Sequence, residues 1–489
     1  MLFFSRRSET VACALEKSLH TICMATVAVI LPRQKLGAET SDSASYTRLY
    51  LLLFAIGFAL RFGMVLWRKS YIFPPGWIFE NLSIATNLAT GHGFSSPFNL
   101  QTGPTAWIAP AYPFFLATVF KAFGLYSSIS MCVIFVVQCV MAAATGIAIH
   151  SLAKRTVGAS MGWWAAWIWT LSPFFFRWPT TWVWDFTVSA LLMTVLLILT
   201  LDLAESGSTK RWLGLGGVWG LTALTNPALI SVLPFTMAYA AYVNRLAGRK
   251  WLRGLSLASV LFAAMIAPWL VRNEIVFGHF VFLRSNYWFE FHLGNYHFSN
   301  GMGFSGKHPT KNPIQMYKYV SLGEQGYIQW AKNDALQFVH DYPGEFLNLT
   351  LHRVWWFWDG TPLNYESGGW WKPWQFWPLS CAGWLGLLFV LTRRPRGWIL
   401  FAAPLFIYPV PYYLSYCTSK YRHAIEPELL LLSVYLAYVI WGEMNPIVRR
   451  VVAWRNSLGR EHEAEVLAQA SKHLASFTVL SKTLSRDLR

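Results

Sequence analysis

The sequence predicts an all-α polytopic membrane protein of about ten transmembrane helices, with membrane-surface helices in the first outer loop and a small extracytoplasmic cap. Three observations carry this. Only 13% of the 489 residues are charged, against roughly 25% in soluble domains, while 55% are hydrophobic and 17% aromatic. Mean hydropathy is +0.36, and long uncharged runs recur. The net charge of +17 gathers in short Lys/Arg clusters between those runs. That is the pattern of cytoplasmic loops facing anionic lipid, and it does not imply nucleic acid. The six cysteines are scattered, with neither zinc-ligand spacing nor a disulfide framework.

Residues 1–46 hold a basic start and a short apolar run that resembles a secretory signal only loosely. They read as a cytoplasmic extension, or as the product of a start codon placed too early, and lie outside the fold. A membrane domain follows over 47–271. Its spans are Tyr50–Trp67, Ser128–His150, Ser160–Phe176, Val183–Leu201, the uncharged run Trp212–Val243 and Gly254–Val271. Basic residues flank the run 212–243 on both sides, so it makes two crossings, broken near Asn226-Pro227 where proline removes a backbone donor. The first outer loop covers 68–127. In it, Pro104–Gly124 is apolar but carries three prolines, and crossing there would invert every later basic loop. It is therefore a re-entrant or surface helix.

Residues 272–372 form an extracytoplasmic cap, irregular until about Pro313 and amphipathic helix beyond, rich in the aromatics of a membrane interface. Spans Pro373–Thr392, Gly397–Cys417 and Ala424–Asn445 complete a C-terminal membrane segment (373–445), and a basic, then mixed-charge tail (446–489) follows. Both termini are cytoplasmic. The short loops favour a bacterial plasma membrane.

Ionisable residues beside apolar spans are functional candidates. Glu80 is the only acid in the run between Lys69 and Lys121. It begins a helical pattern with one apolar stripe (Ile78, Leu82, Ala85, Ala89) and one polar stripe (Glu80, Ser83, Asn87, Thr90), ended by Gly91. The spacing puts Glu80 on a wet face. On the same outer side stand Asp185, Arg272, Lys420, Arg422 and His423. One carboxylate with several cations suits transfer from a phosphate-linked donor: the carboxylate takes a proton from an acceptor hydroxyl, and the cations stabilise the departing phosphate. An arginine fork at Arg422 fits phosphate oxygens better than a lysine point charge does.

The stretches FENLSIATNLATGHGFSSP, GPTAWIAPAYPFFLATVFKAFG, LTNPALI, APWLVRNEIVFGHFVFLRSN, HDYPGEFLNLTLHRVWWFW and KYRHAIEPELLLL occur in that order from about residue 48 to 441. In this the chain resembles the GT-C superfamily of polyprenyl-phosphate-sugar-dependent glycosyltransferases, nearest the protein mannosyltransferase and aminoarabinose-transferase branch. The resemblance implies a helical bundle whose first outer loop carries the catalytic acid. It implies transfer of one sugar, with inversion, from an undecaprenyl- or dolichyl-phosphate carrier to a lipid, glycan or protein acceptor of the cell envelope. Where the family has an Asp-Glu-like pair, this chain has Glu80 followed by Asn81. The family's acid at the start of the fourth span corresponds to Asp185. Its carrier-phosphate contacts correspond to Lys420, Arg422 and His423, and the Arg272-Asn273 pair closing the seventh span also matches. Some relatives use a divalent metal; none is expected here, and no other cofactor.

Two other classes compete. A transporter or lipid-carrier flippase needs paired interrupted helices and midplane ionisable residues, whereas these candidates gather at one membrane face. An O-antigen-ligase-like enzyme lacks the Glu80 helix and the GHGF-proline run that follows it.

Overall fold

The computed structural model describes residues 40–73, 79–98, 100–297, 299–302, 305–360 and 376–444. The expected extension through residue 39, the tail from 445, Ile78 of the apolar stripe and the start of the span at Pro373 lie outside the described residues. One compact unit ends at Val434 and a second begins at Tyr435.

The described residues are helical, without a named strand. The first helix, α1, runs Thr40–Trp67, and two short helices follow it in the first outer loop, α2 (Glu80–Ala89) and α3 (Ala111–Phe123). Then come α4 (Ser128–Arg155), α5 (Ala159–Leu171), a short α6 (Arg177–Thr181), α7 (Phe186–Ser206), α8 (Thr209–Thr225), α9 (Leu233–Leu246) and α10 (Trp251–Phe277). The cap holds α11 (Tyr287–Gly294), α12 (Pro313–Asp341) and α13 (Pro343–Asp359). The C-terminal membrane segment holds α14 (Phe376–Arg393), α15 (Ala402–Phe406), α16 (Val410–Leu414) and α17 (Glu426–Met444).

Seven of these segments are long and apolar enough to cross a membrane: Tyr46–Trp67, Ser128–Arg155, Phe186–Ser206, Pro227–Leu246, Trp251–Phe277, Phe376–Arg393 and Ser419–Gly442. The other three expected spans are present as shorter or broken helices, α5, α8 and the interrupted stretch Trp398–Leu414. The break at Asn226-Pro227 stands where the proline requires it: α8 stops at Thr225, and the Asn226 side chain accepts the Ala228 amide to start a 3-10 turn. Gly216 lets α8 approach α10 closely, because a Cβ there would overlap the Ala258 backbone. The proline-rich run of the first outer loop becomes the 13-residue α3, too short to cross.

Two features differ from the sequence reading. The cap is not irregular up to Pro313, since the eight-residue α11 precedes it. And the polar stripe of α2 does not face water except at Thr90, since Glu80, Ser83 and Asn87 are buried. The loop after it folds back over the stripe and satisfies it internally. Ser83 Oγ donates to the carbonyls of Ser96 (2.7 Å) and Phe98 (2.9 Å). Asn87 Oδ1 accepts from Gln101 Nε2 at 3.0 Å. Gly91, at φ +88°, makes the reversal possible.

Two buried clamps tie the cap down. Glu324 follows Gly323, whose φ of 68° kinks α12. Its carboxylate accepts from the Thr105 hydroxyl, the Ala106 amide (2.8 Å), the Ser285 hydroxyl (2.7 Å) and the Tyr319 hydroxyl (3.0 Å). It thereby joins the cap to the first outer loop. Arg353 of α13 donates to the Leu414 and Ser415 carbonyls and to Asn295 Oδ1, which fixes the end of α16.

Candidate active site

Glu80 opens α2, where free helix amides favour a negative charge. The preceding residue fixes its position: Phe79 stacks on Trp182 with ring centroids 5.3 Å apart and meets Trp184 edge-on at 6.3 Å. The start of α2 is therefore pinned to the segment that leads into α7. Glu80 is nearly covered, its side chain 12% exposed, and its Oε1 lies 2.9 Å from His308 Nε2 of the cap. Burial pushes the carboxyl up. The hydrogen bond and attraction of His308, the residue's own backbone amide and the charge of Lys420 outweigh that and hold it below the usual carboxylate range.

Asp185 occupies the position before α7, yet its side chain makes no capping hydrogen bond. It faces a cavity of about 50 Å³ whose lining includes Arg284, Tyr287, Glu290, Tyr416 and Tyr421. Burial raises the Asp185 carboxyl to about 7, against the lowering effects of Arg284, its own backbone and Lys420. Glu290, on α11, accepts from Asn286 Nδ2 at 2.8 Å through one oxygen. The other oxygen is buried without a hydrogen-bond partner. Burial raises this carboxyl too, opposed by Arg284, while Glu80 adds a like charge. Arg284 lines the same cavity and acts electrostatically on both of its acids.

Lys420 lies in the 3-10 turn Ser419–Ile425. Its ammonium sits over the rings of Tyr421 (5.3 Å), Trp182 (5.5 Å) and Phe186 (5.9 Å). Tyr421 stacks on Tyr412 at 4.3 Å and donates to the Tyr416 hydroxyl at 2.6 Å, completing an aromatic wall.

Of the six residues singled out from sequence, the fold brings Glu80, Asp185 and Lys420 together and turns three elsewhere. Arg422 is fully buried on the other side of the turn. It donates to the Trp358 carbonyl (3.0 Å), Ser380 Oγ (2.7 Å) and the Phe376 carbonyl (3.4 Å), and pairs with Glu426 at 3.5 Å. His423 Nδ1 lies 2.7 Å from Glu426 Oε2. Arg272 donates to the Phe94 (2.8 Å) and Thr105 (2.7 Å) carbonyls and so fastens the first outer loop to α10. Sequence reasoning missed Arg284, Glu290 and His308. The first two are isolated charges in an aromatic run, FLRSNYWFEF, the same signal that picked out Glu80. His308, in GKHPTKNP, carries no such signal.

Among the described residues no group of three or more His, Cys, Asp and Glu side chains could hold a metal ion. One Glu80 oxygen is held by His308, and Arg284 acts electrostatically on both cavity acids.

Residues 108–271, roughly a third of the chain, match the family described as dolichyl-phosphate-mannose-protein mannosyltransferase. The matched segment includes Asp185 but not Glu80, Arg284, His308 or Lys420. Among solved structures, one similar chain is the archaeal oligosaccharyltransferase AglB from Archaeoglobus fulgidus, in complex with an inhibitory peptide and a dolichol-phosphate. It is 14% identical, with a TM-score of 0.48 over 86% of this chain and 52% of that one. Another is ArnT from Cupriavidus metallidurans bound to undecaprenyl phosphate, 12% identical, with a TM-score of 0.33 over 80% of this chain and 78% of that one. The chain spans about half the length of the archaeal enzyme. No curated protein matches it in sequence.

Proposed function

We propose that the protein is an integral-membrane glycosyltransferase of the bacterial plasma membrane. It moves one sugar, with inversion, from a polyprenyl-phosphate carrier to an envelope lipid, glycan or protein on the extracytoplasmic face. The observation behind this reading is a pair of carboxyls whose surroundings push them apart, one held ionised and one raised to about 7, beside Arg284 and Lys420. Carboxyls separated in this way take the base and acid roles of a proton-transfer mechanism. Glu80, ionised, is the base. The acceptor oxygen attacks the anomeric carbon, its proton passes to Glu80, and the bond from that carbon to the phosphate oxygen breaks with its electron pair on the phosphate. Arg284 and Lys420 stabilise that charge, and protonated Asp185 donates a hydrogen bond to it. Arg272, Arg422 and His423 support the site from behind, holding the first outer loop and the Lys420 turn in place. No cofactor is required.

The test is incubation of purified protein with a panel of radiolabelled polyprenyl-phosphate sugars and cell-envelope extract. Wild type is expected to label an acceptor. Glu80→Gln, which keeps the shape and folds normally, is expected to lose roughly 10²–10⁴-fold in rate, as when a general base is removed. Full activity in Glu80→Gln would remove Glu80 from the mechanism.

A further inference from the structure

The Glu80 carboxylate is completed by a residue 228 positions away in sequence (80 to 308), in a cap loop that sequence reasoning left without a role. The His308 ring is held on every side. It stands edge-on to Phe98, with centroids 5.5 Å apart, and to Phe289 at 5.4 Å. Its Nδ1 receives the backbone N–H of Thr310 at 3.3 Å and lies 2.7 Å from the Thr310 hydroxyl. A backbone amide can only donate, so Nδ1 accepts when the ring is neutral, and Nε2 carries the proton aimed at Glu80 Oε1 whether the ring is neutral or charged. The loop therefore fixes both the tautomer and the direction of the ring.

We propose that His308 is a positioning residue, a cap-borne donor that orients the Glu80 carboxylate and keeps it ionised inside a covered site. This rests on the glycosyl-transfer reading only for its effect on rate; the effect on Glu80 itself stands apart. The charged and titratable groups acting on or sensing Glu80 are His308 from the cap loop, Lys420 from the C-terminal turn, Glu290 from α11, and Tyr416 beside it. Lys420 favours the ionised carboxylate, whereas burial and Glu290 oppose it. Without the His308 donor, burial prevails and protonation moves to higher pH.

The experiment uses His308→Phe, which keeps an aromatic ring between Phe98 and Phe289 but offers no donor, and His308→Gln, whose amide N–H can replace Nε2. Full-length protein in lipid is titrated by infrared difference spectroscopy, and the Glu80 band is identified by its loss in Glu80→Gln. In His308→Phe the Glu80 midpoint is expected to rise by about one pH unit, and in His308→Gln to return toward wild type. The acid limb of the transfer rate is expected to move in parallel. An unmoved Glu80 midpoint in His308→Phe overturns the proposal. A moved midpoint in a protein whose wild type transfers no sugar upholds the positioning role and removes the glycosyltransferase reading instead. If His308→Phe does not fold, His308→Leu, which also removes the donor, carries the same titration; an unmoved midpoint there overturns the proposal equally.

Discussion

Arg284 and Arg422 are both arginines on the cap side of the bundle, and the fold uses them in opposite ways. Arg422 is fully buried, and its donors go to the Trp358 and Phe376 carbonyls, Ser380 and Glu426. Arg61, Arg272 and Arg353 follow the same pattern, each donating to backbone carbonyls at helix or loop ends. Arg284 faces Asp185 and Glu290 across a cavity. A guanidinium whose donors are taken up by carbonyls holds elements together. One that lines a cavity beside two acids and several tyrosines is placed to receive an anion. In this molecule the partner, more than the residue type, separates structural from functional arginines.

The comparison breaks first, and with the largest effect, at Arg422→Ala. Removing this side chain takes one donor from the buried Trp358 and Phe376 carbonyls, Ser380 and Glu426, which costs about 3 kcal/mol. The melting temperature in detergent is expected to fall sharply, while turnover per folded molecule changes little. A stable Arg422→Ala protein lacking donor binding would place Arg422 in the site instead. Arg284→Ala is expected to do the reverse: unchanged melting and roughly 10²-fold slower transfer, the scale of losing one preorganised charge at a departing anion. The smallest effect is expected from chelation. A chelator should leave the transfer rate unchanged, and a rate restored only by a divalent ion would contradict the cation roles given to Arg284 and Lys420.

Much of the fold was legible because it rests on local chemistry. Uncharged runs bounded by basic clusters located the spans, and Asn226-Pro227 located the break between α8 and α9. Gly91 marked the turn after α2. The environment of Glu80 was not legible. Spacing finds a polar stripe, but whether water or a folded-back loop satisfies it depends on Ser96, Phe98 and Gln101, which are set by tertiary structure. The divergence of Lys420 from Arg422 has a similar origin. In a 3-10 turn of three residues per revolution, positions two apart point to different sides, so the two neighbouring cations meet different surroundings. Arg284 and Glu290 carried the isolated-charge signal in sequence, but only the fold brings them to one cavity with Asp185.

The most direct test of the central claim, that Glu80 and Asp185 work as base and acid, is the pH dependence of transfer between about pH 5 and pH 9, measured for wild type and Asp185→Asn. Asp185 donates only when protonated, so wild-type activity is expected to fall as pH rises through about 7, where burial has raised this carboxyl. Asparagine keeps an N–H donor but cannot titrate. In Asp185→Asn that alkaline limb is expected to vanish, with activity near the wild-type level below it. A limb that persists unchanged in Asp185→Asn would contradict the assignment.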